Sequence, residues 1–203
     1  MKKVKKAPEI RFKGYENDWE QCTFEKLLNY ERPDKYIIKG KILEKGLIPV
    51  LTANKGFILG YTNEDNYHDE SECIIFDDFT LDNKLIDFKF MIKSSAIKLL
   101  TSASVYSIKF LYLLLNSVEF EYAGHARHYI SVVQTTNTFV PSFNESHKIA
   151  SILTNINSLI TLDQRKLKSL TQIKTSLLDK MFVSEAESKP KIRFNNFTHA
   201  WEQ

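Results

Sequence analysis

The sequence predicts an α+β protein, in which a mixed α/β domain is followed by one long coiled-coil helix. Short apolar runs separated by polar turns fill residues 30–100, a helical pattern covers 107–122, and residues 142–182 contain neither Pro nor Gly. From these patterns we expect four parts: an N-terminal arm and repeat segment at 1–21, a globular domain at 22–140, the long helix at 141–183, and a linker with the start of a second unit at 184–203.

The long helix has a start signal and a coiled-coil period. Pro141 precedes it, and Ser142 followed by Glu145 fits a capping box, in which each side chain accepts a hydrogen bond from a backbone amide of the first turn. Further along, apolar positions recur in steps of four and three residues, which is typical of a coiled coil. The predicted dimer interface is this apolar seam, formed by Ile156, Ile160, Leu167, Leu170, Leu177 and Met181.

The alternative is an ordinary long helix that lies on its own domain. The sequence offers no second helix of matching length, so we favour pairing with a second copy of the chain.

The composition excludes several classes of protein. No apolar run reaches the roughly 18 residues of a membrane span, and the start MKKVKKAPEIRF lacks the apolar region of a secretory signal. Cys22 and Cys73 form neither a disulfide framework nor a zinc site, and they suggest a reducing compartment. We therefore expect a cytoplasmic protein without membrane contact.

The distribution of charge along the chain is more informative about binding partners than the formal net charge of +3. Residues 1–13 carry a net charge of +5, whereas residues 14–140, with 13 basic and 18 acidic side chains, carry −5. The middle section is therefore not a general polyanion binder, and any contact with nucleic acid needs a local patch, for which the basic stretch 32–55 is the best candidate. The acidic stretch 64–87 has nine carboxylates and one Lys, so it must face away or accept hydrogen bonds.

The two ends of the chain repeat each other. PEIRFKGYENDWEQ begins at Pro8, PKIRFNNFTHAWEQ begins at Pro190, and seven of the 14 positions are identical at an offset of 182 residues. The sequence thus looks like one full unit plus the opening of a second. Such units normally bury surface against each other, and a chain with one copy can restore that arrangement by forming a two-fold dimer.

With these segments the chain resembles the specificity subunit of type I restriction–modification systems, in a half-length form. PEIRF…WEQ is similar to the opening of such subunits. LIPVLTANKGFILGYTNEDNY and IIFDDFTLDNKLIDFKF are similar to one class of target recognition domain. ARHY before VPSFNESHKIASIL…LLDKMF is similar to the passage into the spacer helix, although Ser146-His147 replaces the usual Glu-Gln pair.

The resemblance implies a non-catalytic protein that recognises a DNA sequence. Family members of full length carry two target recognition domains and two antiparallel spacer helices, and they bring adenine methyltransferase and restriction subunits to a split site on double-stranded DNA. Two half-length copies would pair their helices and read a palindromic split site, with helix length setting the gap. No cofactor and no metal is expected.

Polar side chains near strand ends are the candidate DNA contacts, because Asn can pair with adenine, Lys or Arg with guanine or phosphate, and Asp with cytosine. The candidates are Lys39, Lys41, Thr52, Asn54, Lys55, Gly56, Tyr61, Asn63, Asp78, Thr80, Arg127, His128 and Tyr129. Two structural alternatives remain open: residues 52–56 can form a plain hairpin turn, and Asp78 can hold a loop through backbone amides.

The sequence is also compatible with two other function classes. A coiled-coil interaction protein that regulates assembly of full-length specificity subunits needs the long helix but no DNA contact. A nuclease would use Asp78 with the Asp87-Phe88-Lys89 triplet, which is a weak signal, and the sequence has no G-x-x-x-x-G-K-[ST] nucleotide loop.

Overall fold

The structure is a computed structural model that describes residues 7–54, 56–69, 72–121, 127–183 and 188–202. The chain divides into two compact units, Met1–Leu153 and Thr154–Gln203. The predicted α+β class is confirmed, since strands and short helices precede one long helix in the described part of the chain. The four predicted domain boundaries stay predictions. Within the described ranges, no helix has the length and apolar character needed to cross a membrane.

The described strands are β1 (Glu20–Thr23), β2 (Leu28–Glu31), β3 (Ile48–Leu51), β4 (Ile58–Thr62), β5 (Cys73–Asp77), β6 (Asn83–Ile86), β7 (Met91–Ile92), β8 (Ile97–Ser102) and β9 (Asn137–Val140). The described helices are α1 (Phe24–Leu27), α2 (Ile108–Ser117) and α3 (Phe143–Met181). Single turns of 3₁₀ helix and π-helix lie at Pro33–Tyr36 and Tyr129–Val133.

The short apolar runs of residues 30–100 predict strands of a mixed sheet, and the described strands form three separate sheets. β1 pairs with β9, and a four-stranded antiparallel sheet has the order β2-β8-β5-β6. The third sheet, β4-β3-β7, is mixed, because β3 is antiparallel to β4 and parallel to β7. Pairing of β1 with β9 brings chain segments more than 100 residues apart next to each other, with Glu20 opposite Val140.

The centre of the first unit is β5, which is buried along its whole length. Because successive side chains of a strand point to opposite faces, Ile74 and Phe76 enter one apolar cluster with α1 and α2, whereas Cys73 and Ile75 enter a second cluster with β3 and β7. An unbroken apolar run such as CIIF is typical of a strand covered on both faces. Burial raises the pKa of the Cys73 thiol to about 12.

Several predicted elements are shorter or different. The amphipathic pattern of residues 22–29 (CTFEKLLN) predicts a short helix, but the helix is limited to α1, because Leu28–Glu31 pairs with β8 as a strand. The helix predicted at 107–122 ends at Ser117. The segment YISVV favours a short strand by sequence, but Tyr129–Val133 makes a π-helical turn, in which the Gln134 amide donates to the Tyr129 carbonyl at 2.8 Å.

The start of α3 differs from the predicted capping box. The Ser142 hydroxyl does accept from the Glu145 amide, at 3.4 Å. The Glu145 carboxylate, however, accepts two hydrogen bonds from Arg11, at 2.8 Å from Nε and 2.7 Å from Nη2. Arg11 is a stronger partner than the Ser142 amide because a guanidinium fork satisfies both carboxylate oxygens at once.

Candidate nucleic-acid interface

The basic stretch is held against β4 by its backbone. The Glu64 carboxylate accepts from the amides of Lys39 and Gly40, at 3.2 and 2.9 Å. The amides and carbonyls of Leu43 and Tyr61 bond to each other in both directions at 2.8 Å. These bonds leave the side chains of Lys39 and Lys41 exposed. Within the described ranges, no carboxylate pairs with either ammonium group.

Gly60 permits this close approach. Its φ of +151° lies in a region that favours glycine. A Cβ at this position would lie 2.3 Å from Ile42 Cγ2 and 2.6 Å from the Leu43 carbonyl oxygen. The basic stretch can therefore lie on β4 because residue 60 has no side chain.

The turn between β3 and β4 contains the predicted Thr52, Asn54 and Gly56. The Thr52 amide donates to the Phe57 carbonyl at 2.8 Å, the Phe57 amide donates to the Asn54 carbonyl at 3.0 Å, and the Thr52 hydroxyl donates to Asn54 Oδ1. The tight-turn alternative thus describes the local geometry, and the same geometry exposes Gly56 at the tip. Lys55 lies outside the described residues.

Lys84 joins this turn to β6, and the sequence reasoning missed it. Lys84 Nζ lies 5.6 Å from the centre of the Phe57 ring, within range of a cation–π contact, and the Phe57 ring meets the Phe88 ring edge-on at 6.4 Å. The sequence did contain a signal for this residue, because Lys84 is the one Lys in the acidic stretch 64–87. A Lys on an aromatic platform beside a turn can contact both a phosphate and a base.

A second exposed patch lies at the turn between β5 and β6. Asp77 Oδ1 accepts from the amides of Phe79 and Thr80, at 2.9 and 3.1 Å, and this fixes the turn. The exposed Arg127 guanidinium lies 5.9 Å from the Phe79 ring centre. Arg127 and Thr80, both predicted contacts, are therefore on one surface patch with Phe79.

Asp78 is buried, and its geometry matches the structural alternative. Its carboxylate accepts from the Tyr129 amide at 2.8 Å and lies 3.5 Å from Lys98 Nζ, while its carbonyl accepts from the His128 amide at 2.9 Å. The side chains of His128 and Tyr129 are fully buried, and burial, together with nearby Tyr30, raises the pKa of Tyr129. These three residues hold the segment that carries Arg127, and none presents its side chain to solvent.

The remaining two predicted contacts are engaged within β4 and the loop after it. Tyr61 is half-buried and pairs through its backbone with Leu43. Asn63 is exposed, but its Oδ1 accepts from the Leu47 amide at 3.0 Å. Three carboxylates of the acidic stretch, Glu64, Asp77 and Asp78, accept hydrogen bonds from backbone amides. Within the described ranges no cluster of His, Cys, Asp and Glu could hold a metal ion.

In the second unit, the predicted seam of α3 is exposed. The exposed fractions of Ile156, Leu167 and Leu170 are 46%, 67% and 53%. The other seam residues are Ile160, 48% exposed, Leu177, 41% exposed, and the half-buried Met181. Six of the eight positions along this seam are apolar, and the other two are Asp163 and Lys174. Exposed apolar surface of this kind is available to be buried against another chain.

Comparison with known proteins gives consistent results. No protein-family model matches the chain. It is 38% identical over 151 residues to the type I restriction enzyme EcoR124I/EcoR124II specificity subunit of Escherichia coli, a match that covers 70% of this chain and 37% of that protein. Among solved structures, it resembles the type I restriction–modification system S subunit from M. genitalium with a TM-score of 0.60 and 18% identity, covering 81% of this chain and 46% of that one.

A chain from a structure concerned with complex assembly and conformational transition of the type I restriction–modification system has a TM-score of 0.52 and 12% identity, with coverage of 83% and 47%. At these identities the structural matches show the fold. The chain thus spans less than half the length of the relatives it matches.

Proposed function

Because the chain belongs to the family of type I restriction–modification specificity subunits, we propose that it is a DNA sequence-recognition subunit without catalytic activity of its own. Residues 22–140 are its target recognition domain. The observation that carries the proposal is the 38% identity to the E. coli specificity subunit. It is supported by the cation–π contacts of Lys84 with Phe57 and of Arg127 with Phe79 at strand-end turns of this chain.

The proposed DNA surface has three parts. The exposed ammonium groups of Lys39 and Lys41 contact phosphates, and the β3–β4 turn with Lys84 approaches a base edge or phosphate. Arg127 supplies a guanidinium beside Thr80, suited to guanine or phosphate. Asp78, His128 and Tyr129 act indirectly, by holding the segment of Arg127.

Two copies of the chain pair through the apolar seam of α3 and hold two identical domains apart. At about 1.5 Å per residue, the 39 residues of α3 span roughly 58 Å, which sets the separation of the half-sites. The resulting target is a palindromic split sequence on double-stranded DNA. The pair works in the cytoplasm, where it positions adenine methyltransferase subunits and, through them, restriction subunits.

The second candidate function is a coiled-coil interaction protein that regulates assembly of full-length specificity subunits. The exposed seam of α3 supports this function as well as it supports pairing of two copies, because a single helix can pair with the helix of a longer relative. This function needs no sequence-specific contact with DNA, so DNA retention separates the two.

The deciding experiment combines the purified chain with its cognate methyltransferase subunit and a genomic DNA library. We expect adenine methylation at a split palindrome, mapped by single-molecule sequencing. Lys84→Ala and Arg127→Ala should each lower methylation about tenfold, the effect of losing one base or phosphate contact. The matched control is Lys26→Ala, an exposed Lys of α1 outside the proposed surface. Methylation without a shared motif, or equal loss in the control, contradicts the proposal.

A further inference from the structure

The two repeat segments have the same local structure as well as similar sequences. Gly14 and Asn196, which correspond at the offset of 182, both have a left-handed backbone, with φ of 91° and 78°. In the first copy the Tyr15 amide donates to the Phe12 carbonyl at 3.3 Å, and in the second the Phe197 amide donates to the Phe194 carbonyl at 3.4 Å. The second copy is therefore a folded segment rather than an unstructured remnant.

The two arginines are also held in the same way. Arg11 Nη1 donates to the Asn17 carbonyl at 2.8 Å, and Arg193 Nη1 donates to the corresponding carbonyl, that of His199. In each case the bond joins the guanidinium to the carbonyl six positions further along the chain. With Nη1 engaged within the segment, the edge formed by Nε and Nη2 is the part of each guanidinium that suits a carboxylate.

In the first copy this edge has a partner. It holds Glu145, whose side chain is 1% exposed, and Lys148 Nζ lies 5.7 Å from the Phe12 ring centre and 5.0 Å from the Tyr15 ring centre. The start of α3 thus presents a carboxylate and an ammonium group to one Arg and two aromatic rings. Charge-assisted pairs of this geometry are among the stronger surface contacts of proteins.

In the second copy the corresponding groups are uncovered. Phe194 and Phe197 correspond to Phe12 and Tyr15, and they are 73% and 64% exposed. Through the described ranges, no carboxylate pairs with Arg193. The segment is held at the end of its own α3 by the Ile192 amide, which donates to the Lys180 carbonyl at 2.9 Å, and by the Trp201 ring, which lies 5.9 Å from the Phe182 ring.

We propose that the segment Pro190–Trp201 docks on the start of α3 in a second copy of this chain, in the place that Pro8–Trp19 holds in that copy. Arg193 then pairs with Glu145 of the second copy, and Phe194 and Phe197 flank its Lys148. This inference rests on the pairing of helices proposed above. If the two α3 helices are antiparallel, the end of one lies beside the start of the other, which brings Arg193 to that carboxylate.

The docking is an exchange, because Glu145 has one pair of oxygens and can accept one guanidinium fork at a time. Arg11 of the same chain and Arg193 of the second copy therefore compete for it. Removing Arg11 should shift the exchange towards the C-terminal segment.

The test is a photo-crosslinking experiment between two distinguishable full-length chains. The donor chain is ¹⁵N-labelled and carries benzoylphenylalanine at Phe197, which keeps an aromatic group there. The acceptor chain has natural isotopes and carries Arg11→Ala. We expect donor–acceptor crosslinks that map by mass spectrometry to residues 142–149, at a yield several-fold above that with a wild-type acceptor.

Charge reversal supplies the control. Arg193→Glu in the donor should lower the crosslink yield about tenfold, as expected for loss of a bidentate charged pair. An acceptor with Arg11→Glu and Glu145→Arg keeps an ion pair within its own chain, and it should restore crosslinking to the Arg193→Glu donor. Circular dichroism shows whether that acceptor folds. If it does not, the test is the crosslink yield on the Arg11→Ala acceptor, compared between the donor with Arg193 and the donor with Arg193→Glu.

The outcomes separate this inference from the proposed function. Chains that sediment as a dimer but crosslink elsewhere, or crosslink equally with Arg193→Glu, overturn the docking and leave the paired helices intact. Chains that stay monomeric overturn both. Methylation of a split palindrome without crosslinks at 142–149 overturns the docking alone.

Discussion

Apolar side chains of the same types have opposite environments in the two units. Ile74, Leu100 and Leu111 in the first unit are completely buried, whereas Leu159, Leu167 and Leu170 of α3 are more than half exposed. The first set is covered by elements of its own chain, and the second set is not covered within its unit. The difference indicates that the apolar residues of the first unit form a core within the chain, whereas those of α3 leave apolar surface that the proposed pairing of two copies would bury.

The largest effect should come from breaking the polar contact inside the first unit. Asp78→Ala removes the carboxylate 3.5 Å from Lys98 Nζ, whose side chain is 5% exposed. An uncompensated buried charge costs about 3–5 kcal/mol of unfolding free energy. Urea unfolding followed by circular dichroism measures it, and Asp82→Ala, at an exposed carboxylate in the same turn, should cost far less. Equal losses in both variants would show that the buried pair is not the cause.

The difference in burial between the two units is tested by truncating one apolar side chain in each unit. Ile74→Ala leaves a cavity in a fully buried strand and should cost about 2–4 kcal/mol. Leu167→Ala in the monomer should change the unfolding free energy by less than about 0.5 kcal/mol, because the side chain is already 67% exposed. Both values come from urea unfolding at low protein concentration. Similar costs would mean that α3 is covered within the single chain.

A charge on the seam should separate the copies without unfolding them. Leu170→Glu puts a carboxylate into the proposed interface, and we expect the dissociation constant of the dimer to rise about a hundredfold, or nearly 3 kcal/mol. Gln172→Glu is the control, because it adds the same charge about 200° around the helix. Sedimentation equilibrium gives both constants, and an unchanged dimer in Leu170→Glu would remove the seam as the interface.

The smallest expected effect is a loss of unfolding free energy at alkaline pH, caused by the Cys73 thiol. In the unfolded chain the Cys73 thiol ionises near its ordinary pKa of 9.0, but burial raises the pKa in the folded chain to about 12. A raised folded pKa gives stability that is complete below pH 9 and lost as pH rises towards 12. Between pH 8 and pH 10 the wild type should therefore lose about 1 kcal/mol more unfolding free energy than Cys73→Ala. Parallel losses in the two proteins would exclude this thiol.

The features that the sequence predicted are those with local causes. The coiled-coil period predicted α3, and a hairpin turn was one of the alternatives left open for residues 52–56, between β3 and β4. The repeat at the two ends was visible as identity at a fixed offset.

The features that it missed depend on contacts between distant segments. Arg11 and Glu145 are 134 residues apart, so the capping box was a reasonable but incomplete interpretation. Lys84 meets Phe57 because β6 and the β3–β4 turn come together in the fold. Asp78 had two interpretations in the sequence, and its burial against Lys98 depends on the pairing of β5 with β8.

Gly60 limits which residues of the proposed DNA surface can change in sequence without disturbing the fold. A side chain at this position would push Ile42 and Leu43 away from β4, and it would move the backbone that carries Lys41. Lys39 and Lys41, being exposed, can be exchanged with little effect on the fold. If Lys39 and Lys41 contact DNA as proposed, we expect relatives with other DNA targets to differ at these lysines and to keep glycine at residue 60.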